Sequence, residues 1–201
     1  MRLGVFGGTF DPVHYGHLLL AELCREAHRL DQVWFMPAAT PPHKSGAPLT
    51  PAVRRVEMLE LAIAGQPAFA VSELEIRRGG TSYTVETLAA LHAEDPTREL
   101  FFLLGSDMLA DLVHWREPAR ICQLATLVVA PRPGCEQPAF AALAGVLGAE
   151  ACERIRAHAV CIPVVGISSS EIRRRAAAGL SIKYQTPPAV EQYILSHGLY
   201  R

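Results

Sequence analysis

Short apolar runs alternate with helically spaced apolar stripes along this chain. Leu3-Gly4-Val5-Phe6 predicts a buried strand closed by Gly7-Gly8. Over 16–30, Leu19, Leu20, Leu23 and Ala27 recur at helical spacing, and Val33-Trp34-Phe35-Met36 predicts a second strand, stopped by Pro37. A helix is expected over 53–64, with Val56, Leu59 and Ile63 on one face, and a third short strand over 69–72. Val85, Leu88 and Leu91 mark a helix over 84–93. An apolar strand over 100–104 ends in Gly105-Ser106-Asp107, a helical stretch runs on to Leu124, and a strand follows over 126–129. The pattern then predicts a last strand over 160–165 and a helix over 169–178. A C-terminal helix after Pro187-Pro188 carries Val190, Tyr193, Ile194 and Leu195. Two stretches resist this reading: a proline- and glycine-rich loop over 38–51, too long for a simple connector, and the segment 131–148.

Strands apolar on both faces, alternating with helices, predict an α/β fold with a parallel sheet. With no internal repeat and no separating linker, the chain reads as a single domain over 1–201. Ligands of such sheets bind outside the carboxyl ends of the strands, at a switch in strand order. Three unusual segments, 7–17, 105–107 and 166–173, directly follow predicted strands.

Composition narrows the function classes. Half of the 201 residues are hydrophobic, which excludes disorder. Nineteen basic against twenty acidic residues force no strongly basic face, so a nucleic-acid partner is not indicated. No apolar run reaches the roughly 18 residues that span a membrane, and the start is broken by glycine too soon for a signal peptide. A soluble, cytoplasmic protein with no membrane partner is expected. The cysteines are five, with no C-x-x-C pair, and read as small apolar residues in a reducing compartment.

The densest chemistry lies in Gly7-Gly8-Thr9-Phe10-Asp11-Pro12-Val13-His14-Tyr15-Gly16-His17. Glycines after a strand let backbone N–H groups approach phosphate oxygens. His14 and His17, three apart at a helix start, can share a face, and Gly16 leaves room for something bulky there. Two imidazoles beside a positive helix end favour an anion that gains charge during a reaction. The plain alternatives are a tight turn and ordinary surface or core histidines. The spacing is not the dinucleotide G-x-G-x-x-G, and G-K-[ST] is absent. Neither H-E-x-x-H nor a nearby third ligand completes a zinc site.

The second segment is Ile167-Ser168-Ser169-Ser170-Glu171-Ile172-Arg173. Helix capping accounts for one serine and for Glu171. Three serines followed by Arg173-Arg174-Arg175 also suit a polyphosphate, although an arginine run alone is more often a solvated helix face.

Together, H-x-G-H and I-S-S-x-x-I-R resemble the nucleotidylyltransferase superfamily, and within it the bacterial nicotinate mononucleotide adenylyltransferases. Pro41-Pro42-His43-Lys44, Ser82-Tyr83-Thr84, Gly105-Ser106-Asp107, His114-Trp115-Arg116 and Tyr193-Ile194…Gly198-Leu199-Tyr200 are similar in order, so the likeness covers nearly the whole chain except 133–158. It implies a Rossmann-like, doubly wound parallel sheet with a C-terminal helical portion at about 168–201. The implied reaction moves AMP from ATP to nicotinate mononucleotide, giving nicotinate adenine dinucleotide and pyrophosphate in NAD biosynthesis. By the same likeness His14, His17 and Arg173 are catalytic. Gly7, Gly8, Thr9, Phe10, Gly105, Asp107, Ile167, Ser168 and Ser169 would bind ATP. Lys44, Ser82, Tyr83, Thr84, Trp115 and Arg116 would bind nicotinate mononucleotide, with Trp115 stacked on the pyridine ring. Mg²⁺ would ride on the substrate phosphates, largely through water, without a protein cage. His43 and Lys44 read equally well as part of a charged lid or of a solvated loop. Ser170 replaces the family's usual threonine, and Ala38-Ala39-Thr40 lacks an asparagine expected near a ribose.

The residues agree with that chemistry independently. A phosphate monoester is already an anionic nucleophile, so alignment and charge stabilisation suffice, and direct in-line transfer without a covalent enzyme intermediate is expected. The rivals are a sister transferase acting on phosphopantetheine or making CDP-alcohols, a non-catalytic nucleotide-binding regulator, and a redox enzyme holding NAD. The sequence leaves homo-oligomerisation open.

Overall fold

The computed structural model describes residues 1–41, 49–130 and 140–201, apart from the side chains of 106–107 and 140–142. Five strands, β1 (Arg2–Gly8), β2 (Gln32–Pro37), β3 (Phe69–Val71), β4 (Glu99–Gly105) and β5 (Thr126–Ala130), form one sheet in the order β3-β2-β1-β4-β5. Every pairing is parallel. The helices are α1 (Tyr15–Ala27), α2 (Ala52–Ile63), α3 (Leu74–Arg78), α4 (Thr84–Glu94), α5 (Ser106–Asp111), α6 (Pro118–Leu124), α7 (Phe140–Leu147), α8 (Ala149–Ala157), α9 (Ser169–Ala177) and α10 (Pro188–Ser196). The fold is the Rossmann-like, doubly wound α/β sheet that the sequence implied.

Strand alternation sorts the core into two layers. In β4, Phe101 and Leu103 join Phe6, Val33, Phe35 and Val128 on one face, covered by α1, α2, α9 and α10 through Leu20, Cys24, Met58, Leu59, Ile172, Val190 and Ile194. Leu100, Phe102 and Leu104 join Leu3, Val5, Leu127 and Val129 on the other, under Val85, Leu88, Leu91, Ile121, Leu143, Cys152 and Ile155. Among the described residues no helix is long and apolar enough to cross a membrane.

Three expectations need correction. The run 160–165 is not a strand. Val160 donates one hydrogen bond to Val129 O at 2.8 Å, but Pro163 has no N–H to continue a ladder and Val164 is 69% exposed. The helical stretch up to Leu124 is broken into α5, a 3-10 turn (Leu112–His114) and α6, because Trp115 is extended and Glu117 adopts φ 51° before Pro118. The segment 131–148, which the pattern could not place, contains α7; α8 just after it and α3 were also missed.

After β1 the chain goes to β2 and β3 on one side. It then crosses back to β4 and β5 on the other. The strand order reverses between β1 and β4, so the crevice expected to bind a ligand opens beyond Gly8 and Gly105.

Candidate active site

The loop after β1 fills that crevice. Gly8 is explained by packing: a Cβ there would meet the Phe10 ring at 2.9 Å. Phe10 itself is 1% exposed, takes φ 50°, and packs edge-on against Phe6 at 5.4 Å and His17 at 5.1 Å. Its ring is therefore a core element, and it can offer a ligand only its backbone. Thr9 and Gly7 are half-buried at the mouth of β1.

His14 caps α1 with an extended backbone (φ −148°, ψ 169°) and His17 lies one turn on. Their rings stack at 3.7 Å, with 24° between the planes. The His14 N–H donates to His17 Nδ1 at 3.2 Å, so in the neutral His17 ring the proton sits on Nε2. Gly16 does leave room, as the sequence suggested, but for the protein's own group: a Cβ would stand 3.1 Å from the His14 ring.

The second segment closes onto this loop from α9. Ser168 caps α9, its Oγ accepting the Glu171 N–H at 3.2 Å. Ser169 Oγ donates to Pro12 O at 2.8 Å, and Arg173 Nη1 donates to Asp11 O at 2.7 Å. Ile167 is packed against the same core layer as α1. The two motifs, more than 150 residues apart in sequence, thus meet through hydrogen bonds.

Three residues outside the predicted site set hold the loop from behind. Arg55, 1% exposed, donates to Thr50 O, Thr9 O and Ala38 O at 2.9, 2.9 and 2.8 Å. Burial pushes its pKa down, and the nearby Asp11 charge opposes that. Thr186 Oγ1 donates to Val13 O at 2.8 Å, and Tyr200 OH to Asp11 Oδ1 at 2.7 Å. Arg55 left a signal in the sequence, as an arginine on the apolar face of a helix four residues before Leu59, and Tyr200 ends the Tyr193-Ile194…Gly198-Leu199-Tyr200 run that carries part of the family resemblance.

Across the crevice lie the other predicted residues. Ser82 is buried and its Oγ accepts the Ala39 N–H at 2.9 Å, while its own N–H donates to Thr40 O at 3.0 Å. Tyr83 precedes Thr84, the first residue of α4, whose N-terminus carries no side-chain cap. The Trp115 ring is edge-on to Phe102 at 6.0 Å, and Phe102 also borders Gly7. Arg116 is engaged with protein: its guanidinium lies over the Tyr83 ring at 4.8 Å and meets Glu86 at 2.7 Å. Gly105 ends β4, opposite Ala130 in β5. Lys44, its neighbour His43 and the Asp107 side chain lie outside the described residues.

The arrangement joins imidazoles, hydroxyls and a guanidinium gathered on the loop after β1 to an aromatic corner. Residues 5–175 match the cytidylyltransferase-like family. A protein of Thermomicrobium roseum named "probable nicotinate-nucleotide adenylyltransferase" is 50% identical over 200 residues, covering 100% of this chain and 92% of that one. The chain belongs to the cytidylyltransferase-like family, in its bacterial nicotinate-nucleotide adenylyltransferase branch. A Thermus thermophilus member of the same name is 47% identical over the full length of both chains. The fold is also that of Plasmodium falciparum nicotinic acid mononucleotide adenylyltransferase complexed with NaAD, at TM-score 0.78, 20% identity and coverage of 99% and 97% of the two chains.

Proposed function

We propose that this protein transfers AMP from ATP to nicotinate mononucleotide, releasing pyrophosphate and nicotinate adenine dinucleotide. One observation carries the reading: the His14–His17 pair and the Ser169–Arg173 segment meet on one loop at the switch point, opposite Trp115 and Tyr83, in a chain 50% identical to a full-length relative of that name.

The mononucleotide's phosphate oxygen attacks the α-phosphorus of ATP, and the bond to the bridging oxygen breaks toward pyrophosphate. Negative charge builds on the phosphoryl oxygens as this happens. His17 Nε2–H and the His14 ring meet that charge from positions already fixed, so little reorganisation is needed. Arg173 spends two donors on Asp11 O and Ser170 Oγ, which orients its plane toward the loop; with Ser168 and Ser169 it receives the departing pyrophosphate. Gly7, Gly8, Thr9 and the Phe10 backbone line the phosphates, and Gly105, Asp107 and Ile167 border the adenosine side.

At the aromatic corner, Trp115 stacks on the pyridine ring. The uncapped N–H groups of Tyr83 and Thr84 donate to the nicotinate carboxylate, and Arg116 and Lys44 add positive charge around the acceptor. Mg²⁺ bound with ATP would neutralise phosphate charge. Among the described residues no three His, Cys, Asp or Glu side chains gather as a metal site, and Asp11 faces Tyr200 and Thr50. In this reading the ion is held by phosphate oxygens and water.

The test is pyrophosphate release from ATP and Mg²⁺ with nicotinate mononucleotide, nicotinamide mononucleotide or phosphopantetheine as acceptor. Preference for the first is expected. Turnover with phosphopantetheine alone would discard the acceptor assignment. No turnover by folded, ATP-binding protein would discard adenylyl transfer.

A further inference from the structure

Asp11 sits inside the phosphate loop yet turns its carboxylate away from the crevice. It is 3% exposed, with Oδ1 accepting from Tyr200 OH at 2.7 Å and Oδ2 accepting the Thr50 N–H at 3.3 Å. Its backbone carbonyl, meanwhile, receives Arg173 at 2.7 Å. One residue therefore links the loop before His14 to α9 through its main chain and to the segment after α10 through its side chain. That segment folds back through left-handed turns at Gly198 (φ 61°) and Tyr200 (φ 67°), the second a conformation that side-chain-bearing residues rarely adopt. Burial and the Asp11 charge both raise the Tyr200 pKa, so the phenol remains a protonated donor across the physiological range.

We propose that Tyr200 is a positioning residue for adenylyl transfer, acting through Asp11 to fix the loop that presents His14 and His17 to the transferring phosphoryl group. This rests on the function proposed above. A buried carboxylate that loses one of its donors must swing toward another, and it carries the Asp11 peptide with it. The Arg173 contact and the His14 cap are the next links along the same loop. Such a shift weakens interactions made in the transition state more than those made with bound substrates, so it lowers kcat and leaves KM near its value.

The experiment compares wild type with Tyr200→Phe, Asp11→Asn and the double variant. For Tyr200→Phe, kcat should fall about ten-fold with both KM values within about two-fold, the scale of a displaced positioning contact. Backbone amides of Phe10, Asp11, Val13 and His14 should exchange hydrogen faster in Tyr200→Phe while those of the β1 strand do not. The double variant should be no slower than Asp11→Asn, because the two changes interrupt one linkage. Wild-type kcat, unaltered exchange over 10–14, or losses that multiply in the double variant would each overturn the proposal. If Asp11→Asn does not fold, the kinetics and exchange of Tyr200→Phe decide. A wild-type protein without adenylyl transfer would remove the functional reading, and the exchange comparison would still decide whether Tyr200 fixes the loop.

Discussion

His14 and His17 stack face to face at 3.7 Å while the backbone N–H of His14 donates to His17 Nδ1. The second contact fixes the first: with Nδ1 occupied as an acceptor, His17 keeps its ring plane and holds its proton on Nε2. The pair is thus preset as a donor surface at the N-terminus of α1, where the helix dipole already favours an anion.

For His17→Ala, kcat should fall about 100-fold or more, as for loss of one preorganised donor to a developing oxyanion. The same substitution removes a helix-capping contact worth about 1 kcal/mol. Thermal melting separates the two effects. A variant that melts slightly lower and still turns over normally would take His17 out of the mechanism.

Arg55→Lys should destabilise the protein by about 3 kcal/mol, since a single ammonium cannot reproduce three forked donations to Thr50 O, Thr9 O and Ala38 O. The expected fall in Tm is about 8 °C for a chain of this size. Melting curves within a degree of wild type would show that the guanidinium is not needed to join the ends of β1 and β2.

The sheet was legible because β1, β2, β4 and β5 are buried on both faces and read as uninterrupted apolar runs. The β4 run Leu100 to Leu104 carries no polar residue at all. Where local pattern and tertiary context part, the reading failed. The 160–165 run has strand-like composition, but Pro163 denies it a ladder, and α3 is only five residues long, too short to show a period. At the site, the motif histidines, serines and Arg173 were readable because their spacing is local to each segment. The contacts of Tyr200, Thr186 and Arg55 with Asp11, Val13 and Thr9 span 189, 173 and 46 residues, and no local pattern encodes them.

Trp115→Ala should raise KM for nicotinate mononucleotide about ten-fold and leave KM for ATP nearly unchanged, as expected for loss of one aromatic stacking partner. The indole is held edge-on to Phe102, which borders Gly7, so the substitution also opens space behind the loop. Steady-state kinetics with each substrate varied in turn checks this. Equal rises in both KM values would place Trp115 in loop support instead of acceptor recognition.

His28 makes stability depend on pH at a place remote from the crevice. It ends α1, with its Nε2 3.1 Å from His158 O and its ring against Phe101 at 5.8 Å. Burial holds its pKa below the usual 6.5, reinforced by the positive charges of His158 and Arg2 and partly offset by the hydrogen bond to His158 O. The fold therefore prefers the neutral ring. Above pH 6.5 the ring is neutral in both states and costs nothing; as pH falls below 6.5 the unfolded chain takes up the proton first, and stability declines until the folded ring is protonated too. His28→Gln keeps an N–H donor for His158 O without a titrating group. Its Tm should drop less than that of wild type between pH 7.5 and pH 5. Parallel Tm curves for the two proteins over that range would show that His28 takes no part in the acid sensitivity.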